Sequence, residues 1–301
     1  MNVAVLGHSS FLGSHLIDRM RTEPDNRVVL FGRKRPDSDE KYVFFESPGM
    51  SHISEQLLTF DHIFYLVAAG VQRGSKSDDQ LTFEVNLYEV IRLSLFLQAH
   101  KFRGTLTTFG SYFEIGQSQI KTSYDELYLA THTNLQPNAY CSSKNLLTRF
   151  LTINQMSYTH YHLVLPTIYG VGENPNRLMP YILKEIKDQK KLYFSSGTQT
   201  RQYLHVRDLV SLICDHLLKG KLNPGIYNVS ASNTLTIKEL VNEVLKKAGC
   251  KNEASFGENE FRDENMPFLA LDDTKLKAEV KWVPQIAIKD GIKEYYNLYF
   301  Q

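Results

Sequence analysis

Cysteine is scarce in this chain, and its cysteines stand far apart. There are 3 among 301 residues, Cys141, Cys214 and Cys250, with no Cys-x-x-Cys pair and no histidine at metal-ligand spacing. A disulfide framework and a structural zinc site both depend on such spacings. The sequence therefore predicts no metal and a protein of a reducing compartment, which we expect to be cytoplasmic.

Long apolar runs and an excess of charge are missing too. No run approaches the roughly 20 apolar residues that span a membrane, and the N-terminus enters an apolar strand pattern without a basic leader. The formal net charge is +1 at pH 7, without a block dense in lysine and arginine. We therefore expect neither nucleic acid nor a membrane as a partner, and a small molecule is favoured.

Short apolar runs alternate with longer amphipathic ones in the first half, which is typical of βαβ units and a parallel sheet. Loops rich in Gly, Pro and Asn follow Gly170 and indicate a second lobe. Helices are predicted over residues 10–23, 81–102 and 138–154. The predicted strands read "NVAVLG", "RVVLFG", "YVFFE", "HIFYLVAAG", "GTLTTFGS" and "YHLVLPTIYG".

These elements predict an α/β fold, a Rossmann-type doubly wound parallel sheet with a smaller, interleaved α/β substrate domain. The nucleotide-binding domain is expected to comprise residues 1–168, with a returning segment at about 203–230. The substrate domain is expected to comprise residues 169–202 and 231–296.

The segment "VLGHSSFLGSHL" links the first predicted strand to the first predicted helix. Gly7 permits a tight turn, Gly13 permits close packing of helix on sheet, and the N–H groups between them would face a pyrophosphate. Ser10 stands where the middle glycine of such a loop is expected, and its hydroxyl can itself donate to a phosphate. The alternative is a plain strand-to-helix turn. The expected cofactor contacts are Gly7, Ser9, Ser10, Phe11, Leu12 and Gly13.

Basic residues follow the second predicted strand. Arg33, Lys34 and Arg35 stand there, and no carboxylate precedes Asp37. A carboxylate at this place binds the ribose hydroxyls of NAD, whereas arginine suits the 2′-phosphate of NADP. The sequence therefore favours NADP over NAD, with Arg33 and Lys34 as contacts. A solvated basic turn is the alternative.

Tyr140 and Lys144 lie four residues apart in "AYCSSK" at the start of a predicted helix. Their side chains emerge on one face, and we expect the ammonium to lower the pKa of the phenol into a useful range. Ser111 ends a predicted strand, where ligands of such sheets bind. We expect its hydroxyl to hold a substrate oxygen against Tyr140.

Over nearly its whole length the chain resembles the extended short-chain dehydrogenase/reductases that act on nucleotide sugars. This resemblance rests on the glycine loop, which is the segment "GHSSFLGSHL", and on five further segments. They are "HIFYLVAAG", "IYGVGEN", "GTQTRQYLHVRDLV", "IYNVSA" and "LDDTKLKAEVKWVP". It implies Ser111, Tyr140 and Lys144 as the catalytic residues. It further implies cofactor contacts at Ala68, Ala69, Asn86, Tyr140, Lys144 and Thr167, and substrate contacts at Ser111, Tyr112 and Arg201. Arg201 would bind the diphosphate, a task that suits a guanidinium.

Two positions separate the reactions of that family. Its dehydratases carry an Asp-Glu pair directly after the hydroxyl residue, where this chain has Tyr112 and Phe113, which cannot exchange protons in that way. GDP-fucose synthases use a cysteine at the place of Phe113. Both chemistries are therefore disfavoured.

Three interpretations stay open. The first is NADPH-dependent reduction of the 4-keto group of a nucleotide-linked 6-deoxy or 3,6-dideoxy sugar, for the synthesis of surface polysaccharide. Reductases of the CDP-abequose-synthase type, which the chain resembles in its motifs, catalyse a reaction of this kind. The second is an NAD-dependent 4-epimerase, disfavoured by the basic turn and by Thr167, where such epimerases carry asparagine. The third is a non-catalytic NADPH-binding relative, disfavoured by the intact Ser111, Tyr140 and Lys144.

Some features of the sequence have a purely structural interpretation. Long helices pair in dimers of this family, so the apolar stripe over residues 81–97 predicts a homodimer, although packing on the sheet explains the same stripe. His8 is expected to be a solvated loop residue, and a contact with the cofactor phosphates is the alternative. Trp282 is expected to anchor the packing of the second lobe.

Overall fold

The computed structural model describes residues 1–36, 41–70, 78–231, 233–249, 254–257 and 266–300. Asp37 and Cys250 lie outside these residues. The strands are β1 (Asn2–Leu6), β2 (Arg27–Gly32), β3 (Tyr42–Phe44), β4 (His62–Tyr65), β5 (Thr105–Ser111), β6 (Thr159–Leu165), β7 (Thr167–Tyr169), β8 (Leu192–Phe194), β9 (Thr200–His205), β10 (Gly225–Asn228), β11 (Thr234–Thr236) and β12 (Ala254–Phe256).

Helices connect most of these strands. The α-helices are α1 (Phe11–Arg21), α2 (Ser54–Leu57), α3 (Asp79–Phe83), α4 (Glu89–Ala99), α5 (Glu126–Thr131), α6 (Ala139–Ile153), α7 (Leu178–Lys187), α8 (Val206–Leu212), α9 (Ile237–Ala248), α10 (Thr274–Glu279) and α11 (Ile288–Phe300). Short 3₁₀ turns cover Met50–His52 and Tyr112–Ile115, and π-helical turns cover Glu84–Tyr88 and Ile213–Leu217. In the described part of the chain, no helix is both long enough and apolar enough to cross a bilayer.

The main sheet has seven strands in the order β10-β6-β5-β4-β1-β2-β3. Every neighbouring pair in it is parallel. The chain order reverses between β1 and β4, which is the switch point where ligands of such sheets bind. The predicted doubly wound Rossmann-type sheet is therefore confirmed.

Apolar layers cover both faces of this sheet. On one face Leu16 and Met20, one turn apart on α1, pack with Leu209 of α8 and with Trp282. Trp282 is 5% exposed and contacts this layer rather than the second lobe, so its predicted place was wrong. Its partners come from α8, an element that the sequence patterns did not define, which is why its position could not be inferred.

The opposite face of the sheet is covered by α2, α4 and α6. Leu57, Val90, Leu93 and Leu147 are buried there. Their burial makes α6 a fixed platform, since a helix held by an apolar stripe keeps its polar side chains in place. The N-terminal turn of α6 therefore presents a rigid surface to the carboxyl ends of the strands.

Smaller sheets form the second lobe. One has the order β11-β9-β7 and the other pairs β12 with β8. Helices α7, α9 and α11 pack around Ile182, Leu240 and Tyr295. Helix α9 begins at a capping box of Thr236 and Glu239 and ends at Gly249, whose left-handed conformation no β-branched residue would tolerate.

Two predicted strands are shorter than their apolar runs. "YHLVLPTIYG" divides into β6 and β7 because Pro166 has no N–H to continue a ladder. "HIFYLVAAG" leaves the sheet after Tyr65, because its neighbour β1 turns away at Gly7, where φ is +84°. Residues 66–70 thereby become a loop at the carboxyl edge of the sheet.

The long predicted helix at 81–102 is observed as α3, a π-turn and α4, which together run over residues 79–99. Its apolar residues divide between two faces. Leu93 packs on the sheet, whereas Leu81, Tyr88 and Leu95, seven residues apart, are 39%, 49% and 47% exposed. Packing on the sheet therefore accounts for only part of the apolar stripe.

Candidate active site

A cavity of about 400 Å³ opens at the carboxyl ends of the central strands. It brings together the predicted catalytic residues Ser111, Tyr140 and Lys144 with part of the glycine loop. Residues of its wall that the sequence singled out are Ser10, Phe11, Leu12, Ala68, Ser111, Tyr112, Phe113, Tyr140, Lys144 and Thr167.

Ser10 begins α1 and shapes the glycine loop. Its Oγ accepts a hydrogen bond from the Gly13 N–H at 3.1 Å, and its own N–H donates to the Gly7 carbonyl at 2.9 Å. Its backbone is extended, so the missing glycine causes no strain. The hydroxyl proton of Ser10 is not used in the cap and stays available to a ligand.

Gly13 makes the loop a tight cradle. A Cβ there would lie 2.8 Å from the His8 carbonyl and from Ser10 Oγ, and 2.9 Å from the Gly7 carbonyl. Only glycine fits, so the start of α1 comes close to the end of β1 with its N–H groups directed outward. This cradle fits the pyrophosphate of a dinucleotide.

His8 joins the glycine loop to the basic turn. It is 7% exposed, and its Nε2 is 2.9 Å from the Lys34 carbonyl oxygen. The ring occupies space above Gly32, where a Cβ would lie 2.7 Å from His8 Cδ2. The expectation of a solvated His8 was therefore wrong, because the glycine on the neighbouring strand leaves room for a buried ring.

The basic turn lies at the carboxyl end of β2, beside the glycine loop. Arg33, Lys34 and Arg35 are exposed. The Arg33 guanidinium is 3.9 Å from Glu46 and its side chain is 75% exposed. Such a weak, solvated ion pair costs little to break, so these cations can receive a phosphate.

Asn86 lies behind the cavity wall. It is fully buried in the π-turn before α4, and its amide accepts from the Ala69 N–H at 2.9 Å and donates to the Ala69 carbonyl at 3.0 Å. Its Nδ2 also lies 3.2 Å from Ser143 Oγ. Neither Asn86 nor Ala69 lines the cavity, whereas their neighbour Ala68 does, and the predicted cofactor contacts of Asn86 and Ala69 stay predictions.

Helix α6 positions the tyrosine and the lysine. Asn138 caps it by accepting from the Cys141 N–H at 2.9 Å, which fixes the first turn. Tyr140 is hydrogen-bonded to Ser111. Lys144 is 7% exposed, and its Nζ donates to the Phe109 carbonyl at 2.8 Å. The three side chains meet at the end of β5.

The pKa of Tyr140 differs from the expectation. Burial raises it to about 12, Ser111 opposes this through its hydrogen bond, and the charge of Glu114 adds to the rise. The expected lowering by Lys144 was wrong, because the desolvation of the phenol dominates and the ammonium is directed at the Phe109 carbonyl. Tyr140 is therefore a protonated phenol at neutral pH.

Three residues with predicted ligand contacts differ in their placement. Tyr112 is 1% exposed, and its hydroxyl lies 2.6 Å from Thr167 Oγ1, so the two side chains brace one side of the cavity. Arg201 on β9 is 3% exposed and donates to the Thr200 carbonyl at 2.8 Å. It does not line the cavity, and its contact with a diphosphate stays a prediction.

Arg177, which the sequence did not single out, lines the cavity at the start of α7. Its Nε is 2.9 Å from Glu173, whose side chain is 2% exposed, and Tyr295 of α11 donates to Glu173. The positive charge of Arg177 lowers the pKa of Tyr140, against the larger rise caused by burial. "GENPNR" alone gave no signal, because the path of the loop after Gly170 decides where Arg177 points.

Comparison with known proteins agrees with this arrangement. Residues 3–230 match the model of the NAD dependent epimerase/dehydratase family. CDP-abequose synthase of Salmonella muenchen is 20% identical over 301 aligned residues, which cover 98% of this chain and 97% of that protein.

Solved structures share the whole fold. UDP-glucose 4-epimerase of Thermotoga maritima with UDP-glucose has a TM-score of 0.84 at 17% identity and covers 100% of this chain and 98% of its own. dTDP-glucose 4,6-dehydratase of Bacillus anthracis in complex with NAD has a TM-score of 0.81 at 19% identity, covering 99% and 96%. At these identities the likeness shows a common fold and leaves the reaction open.

Proposed function

The chain belongs to the NAD dependent epimerase/dehydratase family and is an NAD(P)-dependent enzyme of the extended short-chain dehydrogenase/reductase type, and we propose that it reduces the 4-keto group of a nucleotide-linked deoxy sugar with NADPH. One observation carries this proposal. Ser111, Tyr140 and Lys144 meet in one cavity, and Tyr112 and Phe113 in its lining follow Ser111 directly, where the family resemblance implies an acid–base pair for a dehydratase.

The glycine loop and the basic turn would hold the cofactor. The N–H groups between Gly7 and Gly13 suit its pyrophosphate, and Arg33 and Lys34 suit a 2′-phosphate. When bound, the nicotinamide supplies the hydride. The Bacillus anthracis dehydratase is described in complex with NAD, so NAD is the alternative cofactor, and the exposed basic turn supports NADP.

Tyr140 supports reduction rather than oxidation as the first step. Its phenol keeps its proton at neutral pH because burial raises its pKa to about 12. A reductase needs that proton for the carbon-4 oxygen, which Ser111 would hold by a hydrogen bond. An epimerase first needs the opposite, a tyrosine that takes a proton from a carbon-4 hydroxyl.

The wall of the cavity supports a deoxy sugar as substrate. Phe113, Leu165 and Pro166 lie near Ser111 in the lining and offer apolar surface where a sugar lacks hydroxyl groups. Arg177 in the lining and Arg201 in the second lobe are candidates for the diphosphate, because a guanidinium binds phosphate oxygens in pairs. The match over nearly the whole length of CDP-abequose synthase agrees with this substrate class.

The test is consumption of NADPH, followed by its absorbance, with purified protein and 4-keto nucleotide sugars of the CDP and dTDP series. We expect one NADPH oxidised for each sugar reduced, and a loss of about 10²-fold or more in kcat for Tyr140→Phe with NADPH binding retained. Tightly bound NAD with interconversion of carbon-4 epimers and no net NADPH use would establish the epimerase. Binding of NADPH without any turnover, unchanged by Tyr140→Phe, would establish a non-catalytic protein.

A further inference from the structure

Glu114 is a fully buried carboxyl group beside the catalytic residues. It lies in the 3₁₀ turn that follows β5, three residues after Ser111, and its exposure is 0%. A buried carboxylate is costly unless its oxygens are hydrogen-bonded or an opposite charge is near. Glu114 has both kinds of compensation, and each comes from the active site.

Both oxygens of Glu114 accept hydrogen bonds. The Ser111 N–H donates to Oε1 at 2.6 Å, and the Thr148 hydroxyl donates to Oε2 at 2.5 Å. Thr148 lies one turn after Lys144 on α6. The carboxylate therefore links the end of β5, which carries Ser111, to the helix that carries Tyr140 and Lys144.

The glycine before Ser111 leaves the space that the Glu114 side chain occupies. A Cβ at residue 110 would lie 2.5 Å from Glu114 Oε1 and 2.7 Å from His162 Nε2, so only glycine can precede Ser111. The Glu114 carbonyl is held as well, by His132 Nε2 at 2.9 Å and by Gln136 Nε2 at 3.0 Å. Contacts on both its backbone carbonyl and its carboxyl group thus hold Glu114 in one position.

A chain of hydrogen bonds ends on Glu114. Thr148 Oγ1 lies 3.1 Å from His162 Nε2, and His162 Nδ1 lies 2.8 Å from Thr108 Oγ1. Because Thr148 uses its only proton toward Glu114, His162 Nε2 carries a proton and its Nδ1 is the acceptor that faces Thr108. The Thr108 hydroxyl also lies 3.1 Å from His160 Nε2 and 3.4 Å from the Tyr161 carbonyl oxygen. The Thr148 and His162 donors are directed toward Glu114, whereas burial raises the pKa of its carboxyl group to about 7, so that Glu114 becomes charged as the pH rises through neutrality.

From these contacts we propose that Glu114 is a positioning residue for catalysis, the buried counter-charge that keeps Lys144 an ammonium and sets Ser111 at the end of β5. The proposal rests on the proposed function, in which Lys144 serves in its charged form. This role differs from that of a helix cap, because it depends on the negative charge of Glu114. A capping box needs no charge and is satisfied equally by glutamate and glutamine.

The charges around Lys144 give the direction of the effect. Burial lowers the pKa of Lys144 below its ordinary value, and the charge of Glu114 is the influence that raises it. From β6, His162 also faces Lys144, but burial holds the pKa of His162 far below its ordinary value, so that ring is neutral. On α6, which carries Lys144, Tyr140 is protonated and therefore uncharged. Arg177 of α7 lowers the pKa of Tyr140 through its positive charge.

Glu114→Gln removes the charge and keeps the shape. The glutamine oxygen can accept from the Ser111 N–H, and Thr148 can turn to accept from the new amide. We expect the pKa of Lys144 to fall, so that the alkaline limb of kcat moves to lower pH by about one pH unit or more. At pH 6 kcat would stay within about twofold of the wild type, and at pH 8.5 it would fall about tenfold.

Matched variants separate charge from packing. Thr148→Val removes one hydrogen bond that lowers the pKa of Glu114 but keeps the carboxyl group, so the alkaline limb should move much less than in Glu114→Gln although stability falls. Glu126→Gln removes a carboxylate that accepts from the Asn228 N–H at 2.7 Å and has no influence on Lys144. An alkaline limb that is unchanged in Glu114→Gln, or one displaced equally by Thr148→Val, would overturn the proposal.

A direct titration of Lys144 keeps this test independent of turnover. In protein labelled with ¹³C and ¹⁵N lysine, the NMR signal missing from Lys144→Met reports the ionisation of Lys144. We expect a lower midpoint in Glu114→Gln and, in the wild type alone, a second inflection where Glu114 ionises. A single inflection and equal midpoints would refute the counter-charge. A displaced midpoint without turnover of any 4-keto sugar would refute only the proposed function.

Discussion

Ser10 shows how one residue can replace a glycine without loss of the loop. A serine at the first position of a helix is a favoured cap, and here its Oγ accepts from the Gly13 N–H. The same residue lines the cavity, so its free proton would be within reach of a ligand bound there. The sequence left a plain turn as an alternative, whereas the cap and the cradle at Gly13 support a phosphate site.

Ser10→Gly separates these two roles. Glycine is also an acceptable cap, so the free energy of unfolding should fall by only a few tenths of a kcal/mol. Loss of the hydroxyl donor should weaken NADPH binding about fivefold, the worth of one hydrogen bond. Calorimetric titration and urea unfolding measure both quantities. Tighter binding of NADPH by the glycine variant would show that the serine weakens cofactor binding by the loop rather than contributing a hydrogen bond to it.

Arg33→Asp tests the cofactor preference. The exposed guanidinium at the end of β2 should attract a 2′-phosphate, and a carboxylate should repel it and accept from ribose hydroxyls instead. We expect the Kd for NADPH to rise at least tenfold and the Kd for NADH to change less or to fall. Arg103→Asp is the matched control, since Arg103 is exposed before the amino end of β5. Equal effects of the two variants would contradict a phosphate contact.

At the scale of elements, the spacing of side chains within one helix could be predicted from the sequence, whereas the contacts between different elements could not. The spacing of Tyr140 and Lys144 placed both on α6, because four residues make one helical turn whatever surrounds it. The position of Arg177 depends on the loop after Gly170, and that of Trp282 depends on α8. Neither follows from a local pattern, since Trp282 packs on residues distant in sequence and Glu173, the partner of Arg177, is itself held by Tyr295.

Two adjacent helices carry the feature that predicts assembly. Leu81, Tyr88 and Leu95 form an exposed row on the long helix, and Leu146 and Ile153 of α6 are 45% and 81% exposed. Rows of exposed apolar residues on neighbouring helices are typical of surfaces that pair. The prediction of a homodimer thus has a defined surface.

Leu95→Asp should disrupt that surface. A carboxylate in an apolar interface is left without a partner, whereas at an exposed position of a monomer it costs little. We expect a wild-type dimer and a variant monomer in sedimentation velocity, with α-helical circular dichroism unchanged. Leu135→Asp is the control, because Leu135 is 73% exposed and lies on neither helix. A wild type that sediments as a monomer would refute the prediction.

On the scale of the whole molecule, buried histidines make stability depend on pH. His62 of β4 is 3% exposed, its Nε2 is 2.8 Å from Thr107 Oγ1, and its ring stacks on Phe64. Burial lowers its pKa to about 3 from an ordinary value of 6.5. Between these values the unfolded chain binds the proton and the folded chain does not, so acid favours unfolding.

His62→Gln should remove that dependence. From pH 6 to pH 4, the wild type should lose about 1.4 kcal/mol more stability per pH unit than the variant, because one proton separates their folded and unfolded states. Urea unfolding at both pH values measures the difference. His100→Gln serves as control, since His100 is exposed. Parallel losses in wild type and His62→Gln would show that His62 is charged in the folded protein.

The whole molecule combines a fold that sequence patterns predicted with a reaction that the fold does not decide. Epimerases and dehydratases share this architecture at a TM-score above 0.8, so side chains of the cavity must decide the chemistry. Tyr140 as a buried acid and Arg33 beside the glycine loop are the side chains on which the proposal of net reduction by a dissociable cofactor rests.

The most direct measurement is the transfer of deuterium from NADPH labelled at the nicotinamide carbon 4 to a 4-keto nucleotide sugar. Net reduction at carbon 4 predicts one deuterium at that carbon of the product for each NADPH consumed, and none with Tyr140→Phe on the same time scale. Interconversion of carbon-4 epimers without incorporation of deuterium from added NADPH would contradict it.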